Sequence, residues 1–270
     1  MSVKPASPAG QASPVSARHA GIFIDTLTVS GRALRSIPRD PETVIPAILF
    51  PAFFFAVNIG AFQDLFQQPG FDFKAFQVPV AIIFAVTGIS RAMTLVLDIQ
   101  GGYFDRLGMT PVARFALLLG LMVADFALVV ALTIPVLALG FAVGVRFESG
   151  LLGMLVFILI SGAWGLAFAG FPYFIALKTG NPSAVNLSFI IFMPFVFLAP
   201  VFIPREAMTS WLATIVVFNP VTYLLDALRS LIMDGWDWGV IIRGVLAVAG
   251  VGAFSFSLSL WAFRGRVTRR

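Results

Sequence analysis

The sequence contains no cysteine and only one histidine, His19, in a polar N-terminal stretch. Without cysteine the chain forms no disulfide and offers no thiolate to a metal ion. A single histidine excludes a histidine-rich metal cluster and a triad built on an internal histidine. The sequence also lacks a GxxxxGK[ST] phosphate loop, an HExxH pair and a GxGxxG run ahead of a helix. We therefore expect a chain that is not an enzyme by itself and holds no metal or cofactor.

Charge is equally scarce, because only 11% of residues are charged and 59% are hydrophobic. Soluble domains are about one-quarter charged. Each of six apolar stretches approaches the roughly 20 residues that cross a bilayer. The sequence predicts an all-α integral membrane protein with a six-span domain over residues 40–264, in which Pro135 breaks the third stretch. The predicted spans are about residues 44–62, 76–98, 112–134 or further, 151–177, 185–203 and 240–263.

The two ends of the chain are polar or amphipathic. Residues 1–20 are rich in Pro, Ser, Ala and Gly, which predicts a disordered tail, and residues 265–270 form a basic tail. Residues 21–39 predict an amphipathic helix that lies on the inner membrane surface or packs on a partner. Its apolar face carries Phe23, Leu27, Leu34 and Ile37, and its polar face carries Asp25, Arg32, Arg35 and Arg39.

Lysine and arginine predict the orientation, because cytoplasmic loops carry an excess of both. An inside N-terminus places 13 of the 18 basic residues on the cytoplasmic side. The sequence therefore predicts a multi-pass protein of the cell's inner membrane with both termini in the cytoplasm. A basic balance in such a protein reflects this topology and does not indicate nucleic-acid binding.

Polar residues inside the second and third spans need partners, because hydrocarbon offers none. One helical arc carries Thr87, Ser90, Arg91, Thr94 and Asp98, and Asp125 lies within the third span. Two interpretations stay open: a neutralised packing pair of Arg91 and Asp125, or a polar site along a substrate path.

Two segments outside the spans stand out. The loop 98–114, DIQGGYFDRLGMTPVAR, combines a glycine pair with one amphipathic turn, so it is either an ordinary connection or an element that a partner moves. The external segment 204–238 contains Asn219-Pro220, a strong helix start. Asp226 and Arg229 can pair on the polar side of that helix. The segment either lies on the membrane or re-enters it.

These features together resemble the permease subunits of ABC type-2 exporters, particularly the daunorubicin-resistance and nodulation-type permeases. The resemblance begins near residue 21. It is carried by Arg39-Asp40-Pro41, by GGYFDRLGMTPVAR at 101–114 and by NPVTYLLDALR at 219–229. The positions matching the family's external helix are Asn219, Pro220, Tyr223, Asp226 and Arg229.

The resemblance implies partners. It implies that the interfacial helix, with Arg32, Arg35 and Arg39, and the loop contact two copies of an ABC ATPase that binds ATP and Mg. It also implies a second permease, identical or different, within the membrane lipid. The loop residues that match are Asp98, Gly101, Phe104, Asp105, Arg106, Leu107, Pro111 and Arg114.

The expected function is export of a hydrophobic or amphipathic compound, such as a drug, antibiotic or lipid-like molecule. A translocation path then includes Thr87, Ser90, Arg91, Thr94 and Asp125. A permease for glycans or lipid-linked saccharides is an alternative, and so is a transporter or channel that needs no ATPase. A membrane scaffold or sensor is the third class.

Overall fold

A computed structural model of the protein describes residues 21–36, 41–66, 71–87, 90–102 and 114–268. The described part is helical apart from short turns and contains no strand, so the expected all-α class is confirmed. Within these described ranges, two 3-10 turns, Gln63–Phe66 and Arg205–Ala207, accompany ten α-helices. These are α1 (Ile22–Ser36), α2 (Pro41–Phe62), α3 (Phe73–Thr87), α4 (Ala92–Gln100), α5 (Arg114–Ala142), α6 (Gly150–Thr179), α7 (Pro182–Phe197), α8 (Ser210–Phe218), α9 (Pro220–Met233) and α10 (Trp238–Thr268).

Five apolar stretches of the described chain are long enough to cross a membrane. A sixth is present if α8 and α9, which meet at a bend of 82°, count as one broken span; otherwise they form a re-entrant loop. The long stretches are Val44–Phe66, Phe73–Gln100, Ala116–Ala142, Gly150–Thr179 and Trp238–Arg266.

Two predicted span boundaries are wrong. Pro135 does not break the third span, because it lies inside α5. A proline removes a single backbone donor, and the buried Val136 and Leu137 keep the helix packed beyond it. The predicted fifth span, 185–203, ends early because α7 stops at Phe197 after 16 residues. Ala199 precedes Pro200, and a residue before proline disfavours the helical conformation.

Helix α6 occupies the centre of the bundle and contacts α3, α5, α7 and α10. Its small residues permit this, since an added Cβ at Gly165 would lie 2.5 Å from Val129 of α5. At Gly170 the added Cβ would lie 2.4 Å from the hydroxyl of Ser255 on α10. The largest fully buried side chains of α6 are Phe157, Trp164, Phe168 and Tyr173.

Helix α1 packs against α5 rather than standing apart from the bundle. Val29 and Ala33 are buried, whereas Phe23 is 75% exposed and Leu27 is exposed as well. The helix therefore has two apolar surfaces, one on α5 and one facing outward. The predicted helix residues 37–39 lie outside the described residues, as do both predicted terminal tails except residues 265–268.

Candidate functional site

One end of the bundle brings α1, α4 and the α6–α7 turn together. The guanidinium of Arg32 on α1 lies 3.5 Å from the carboxylate of Asp98 on α4. Two residues further along α4, the side-chain amide of Gln100 donates to the carbonyl of Gly180 at 2.9 Å. Arg266, near the end of α10, donates to the carbonyl of Leu177 at 2.7 Å. We call the end of the bundle where these contacts lie the basic end.

The glycine pair reverses the chain at the end of α4. The amide of Gly101 donates to the carbonyl of Leu97 at 2.8 Å, and Gly102 adopts a left-handed φ of 71°. A left-handed residue turns the chain away from the helix axis, which glycine does without steric cost. The chain therefore leaves the basic end sharply at the start of the predicted coupling loop.

The centre of that loop is residues 103–113, which lie outside the described residues. It contains five of the predicted coupling positions, Phe104, Asp105, Arg106, Leu107 and Pro111, and the chain re-enters the described part at Arg114. Arg39 also lies outside it, whereas Arg32 and Arg35 occupy α1. The roles of all these residues in coupling stay predictions.

A close helix contact fixes α1 beside the point where α5 leaves the loop. A Cβ added at Gly120 of α5 would lie 2.6 Å from Cβ of Val29 and 3.0 Å from the carbonyl oxygen of Thr26. Only glycine permits this separation. Both sides of the loop, α4 and α5, are therefore tied to α1.

The buried carboxylate of Asp125 holds the junction between α3 and α4. Asp125 is 1% exposed, and one of its oxygens accepts from the amide of Arg91 at 2.8 Å. The other oxygen accepts from the hydroxyl of Tyr173 at 2.6 Å and from that of Ser90 at 3.4 Å. The Ser90 oxygen accepts in turn from the amide of Ala92 at 3.1 Å. Asp125 and Ser90 thus satisfy amides at the start of α4 that a helix itself leaves unpaired.

The five polar residues predicted on one helical arc therefore have different partners. They are Thr87, Ser90, Arg91, Thr94 and Asp98. Ser90 and Arg91 meet Asp125 through a hydroxyl and a backbone amide, Asp98 reaches the basic end, and Thr94 is half-buried on α4. Thr87 alone of the five is on the wall of a cavity of about 260 Å³ between α2, α3 and α7. Its hydroxyl accepts from the indole of Trp164 at 3.5 Å. The cavity is otherwise lined by Pro46, Ala47, Phe50, Pro51, Phe84, Ala85, Phe189, Met193 and Val196.

The opposite end of the bundle contains the predicted external helix. Asn219 caps α9 as predicted, since its side-chain oxygen accepts from the amide of Val221 at 3.0 Å, and Pro220 takes the first helical position. Tyr223 donates to the carbonyl of Val217 at 2.6 Å. These contacts hold α8 and α9 at their bend.

The predicted position of Arg229 on a polar helix face is wrong, although Asp226 and Arg229 do interact electrostatically as predicted. Arg229 is buried and donates to the carbonyls of Phe76 at 3.2 Å and Pro200 at 2.6 Å. Its guanidinium also lies 3.4 Å from the centre of the Phe76 ring. The irregular chain after α7 exposes the Pro200 carbonyl, and Arg229 satisfies it.

Sequence reasoning missed Tyr173, Trp164 and Gly120. Tyr173 is one of only three tyrosines, and its position within an apolar span indicated that its hydroxyl needs a partner. No sequence signal pairs Gly120 with Val29, because the contact joins residues far apart in the chain.

Comparison with known proteins agrees with this architecture. Residues 25–233 match the family model described as ABC-2 type transporter. The chain is 27% identical over 233 residues to the daunorubicin resistance ABC transporter permease protein DrrB1 of Streptomyces coeruleorubidus, covering 83% of this chain and 82% of the relative.

Two further relatives show the same level of identity. The probable doxorubicin resistance ABC transporter permease protein DrrC of Mycobacterium tuberculosis is 27% identical over 242 residues, covering 88% of both chains. The putative transport permease ycf38 of Cyanophora paradoxa is 27% identical over 227 residues, covering 77% of this chain and 74% of the relative. Since the family match spans most of the membrane bundle described above, the chain belongs to the ABC-2 type transporter family.

Proposed function

We propose that this membrane permease exports a hydrophobic or amphipathic drug-like compound, driven by a separate ABC ATPase. The names of two relatives, which mention daunorubicin and doxorubicin resistance, support the substrate class. The cavity beside Thr87 supports it as well, because nine of the ten described residues that line it have apolar side chains. A saccharide route requires more hydrogen-bonding groups than this wall offers.

The contacts of α4 at the basic end carry the proposal for coupling. Asp98 contacts α1 and Gln100 contacts the α6–α7 turn, so the two predicted ATPase-facing segments, α1 and the start of the loop, share one surface with that turn. An ATPase that displaces the loop after Gly102 then acts on α1, α4 and α6 together. ATP and Mg bind to that ATPase, and this chain contributes no catalytic residue.

We place the basic end in the cytoplasm. Its described basic residues include Arg32, Arg35, Lys178, Arg264 and Arg266, whereas Lys74, Arg146, Arg205 and Arg243 are at the other end among several acids. The excess of positive charge at the basic end supports cytoplasmic termini.

Two permeases, identical or different, and two ATPases form the working transporter in this proposal. Helices α2 and α7 flank the cavity and expose apolar side chains at it or beside it, including Phe50, Phe53 and Met193. A second permease that covers these faces encloses the cavity as part of the path. Rigid-body movement of the two bundles then opens the path outward.

Replacement of Arg106 by Glu tests the coupling. In vesicles with the ATPase, we expect Arg106→Glu to retain assembly and membrane insertion but to lose most transport per ATP hydrolysed. Arg146→Glu is the matched control, because Arg146 is an exposed arginine at the opposite end. Transport by Arg106→Glu at the wild-type ratio contradicts the coupling, and uphill export without any ATPase contradicts the function.

Met193→Trp tests the path. Met193 lines the cavity, whereas Ile190 is an exposed apolar residue of the same helix that does not line it. We expect Met193→Trp to slow export of an amphipathic dye, and Ile190→Trp to leave it near the wild-type rate. Equal rates for the two variants place the path elsewhere. Stimulation of ATP hydrolysis by a lipid-linked saccharide but not by the dye contradicts the substrate class.

A further inference from the structure

A second apolar groove, separate from the cavity beside Thr87, opens between α6, α7 and α10. Its volume is about 440 Å³. Among the described residues that line it, Ser188 carries the single hydroxyl, which donates to the carbonyl of Val185 within its own helix. The groove therefore presents almost pure hydrocarbon. Its walls are Phe168, Phe171, Phe174, Ile175, Ser188, Ile191, Phe192, Phe195, Pro220, Val251, Phe254 and Leu258.

The groove extends over about two-thirds of one membrane leaflet. On α10 it runs from Val251 to Leu258, which is about 10 Å at a rise of about 1.5 Å per residue. Half of a hydrocarbon core of about 30 Å is about 15 Å. The inner limit is Pro220, at the bend between α8 and α9, where Asn219 donates to the carbonyl of Phe195 at 2.6 Å. One acyl chain that enters from the basic end fills this space.

Aromatic and basic side chains follow one another beyond the open end. The ring of Phe174, in the groove wall, stacks on Trp261 with centres 6.2 Å apart. The ammonium group of Lys178 lies 3.7 Å from the centre of the Trp261 ring. Arg266 lies five residues beyond Trp261 on α10. Hydrocarbon, then an indole, then positive charge is the order in which a membrane protein meets an acyl chain, the interface and an anionic headgroup.

We propose that this groove binds an anionic phospholipid of the leaflet at the basic end. One acyl chain lies along α10 and α7, and Lys178 and Arg266 face the phosphate. The occupant is lipid rather than a cationic drug, because the positive rim repels a cation. This inference depends only on membrane insertion and not on transport.

Two variants test the site directly in lipid binding. The chain is purified in detergent, and retained phosphatidylglycerol and phosphatidylcholine with identical acyl chains are counted by native mass spectrometry. Lys178→Gln removes charge from the rim, and Ile191→Trp fills the groove. We expect Lys178→Gln to lower phosphatidylglycerol retention about fivefold, the usual effect of one basic side chain at a membrane surface. Ile191→Trp lowers retention of both lipids.

Matched controls lie next to each change. Ile190 is 66% exposed and Ile191 60% exposed on the same helix, and Ile190 does not line the groove. Arg35 is an exposed basic residue of α1, which packs on α5. Ile190→Trp and Arg35→Gln are expected to leave lipid retention unchanged. All four positions are partly or fully exposed, so size-exclusion chromatography is expected to show folded protein.

Several results overturn the proposal. Equal retention of the two lipids by the wild-type chain excludes anionic selectivity, and selectivity that survives both variants places the lipid elsewhere. Displacement of phosphatidylglycerol by an amphipathic dye assigns the groove to the transported compound. The chain has no cysteine, so Ile191→Cys can form a disulfide only with the same cysteine of a second copy. Efficient disulfide-linked dimers show that another permease covers the groove.

Discussion

The hydroxyl of Tyr173 lies 2.6 Å from a carboxylate oxygen of Asp125, and both side chains are buried. This bond joins the central helix α6 to α5, while the other Asp125 oxygen holds the amide of Arg91 at 2.8 Å. The carboxylate thereby fixes the start of α4, whose far end contacts α1 and the α6–α7 turn. Its most direct role is positional, which favours the packing interpretation of Asp125.

Tyr173→Phe is expected to destabilise the protein by about 1–3 kcal/mol, the cost of leaving a buried acceptor without its hydrogen-bond partner. The change leaves one carboxylate oxygen with the longer Ser90 contact. Tyr223→Phe is the control, since it removes a hydrogen bond of the same length to a carbonyl at an exposed site. We expect Tyr223→Phe to destabilise the protein less than Tyr173→Phe. Thermal unfolding in nanodiscs measures both, and a larger loss for Tyr223→Phe contradicts the role of Asp125.

Gly120→Ala is expected to loosen α1 from α5, because the new methyl group would overlap Val29 and crowd the Thr26 carbonyl. Overpacking costs about 1–3 kcal/mol, which raises exposure of the α1 contact about 5- to 150-fold. The readout is the maleimide labelling rate of Ala33→Cys in the cysteine-free chain.

Gly31→Ala provides the control on the other helix of this pair. A Cβ at Gly31 meets no atom within 4 Å, and alanine favours the helix. We expect Gly31→Ala to leave the maleimide labelling rate of Ala33→Cys unchanged or to lower it. If Gly120→Ala labels no faster than Gly31→Ala, α1 is not held by this contact.

The bridge between Arg32 and Asp98 is expected to contribute little stability. The Arg32 side chain is 49% exposed, and exposed ion pairs contribute about 0.2–1 kcal/mol. A double-mutant cycle with Arg32→Ala, Asp98→Ala and both together measures the coupling from denaturant unfolding. We expect a small coupling energy but weaker association of both single variants with the ATPase. A coupling above this range assigns the pair to the stability of the bundle.

Asp234 makes the turn between α9 and α10 sensitive to pH. Burial, and then the neighbouring charge of Asp237, raise the pKa of the Asp234 carboxyl above its ordinary value. Between the ordinary and raised pKa the folded state binds more protons than the unfolded state. Stability from this group therefore falls as pH rises through that window and stays lower above it.

Asp234→Asn removes this penalty, so it is expected to raise the unfolding temperature at neutral pH. The gain disappears below the ordinary pKa of aspartate, where both states of the wild-type protein are protonated. Glu148→Gln removes one exposed charge at the same end and controls for net charge. A gain that persists unchanged at low pH is inconsistent with titration of Asp234.

Local patterns in the sequence predicted most of the helices. Asn219-Pro220 starts α9 as predicted, because a helix cap depends on neighbouring residues. Hydropathy located the membrane stretches for the same reason. Pro135 and the end of α7 were misjudged, since surrounding packing decides whether a proline interrupts a membrane helix.

The sequence by itself determined that this is an all-α membrane protein, because composition limits where the chain can reside. Tertiary structure alone decided which polar groups meet. Asp125 faces the Arg91 amide and Tyr173, Arg229 turns inward to two carbonyls, and the groove at Ile191 opens beside Lys178. These contacts join helices distant in the chain, and their free energy depends on side-chain orientation in a packed, water-poor bundle.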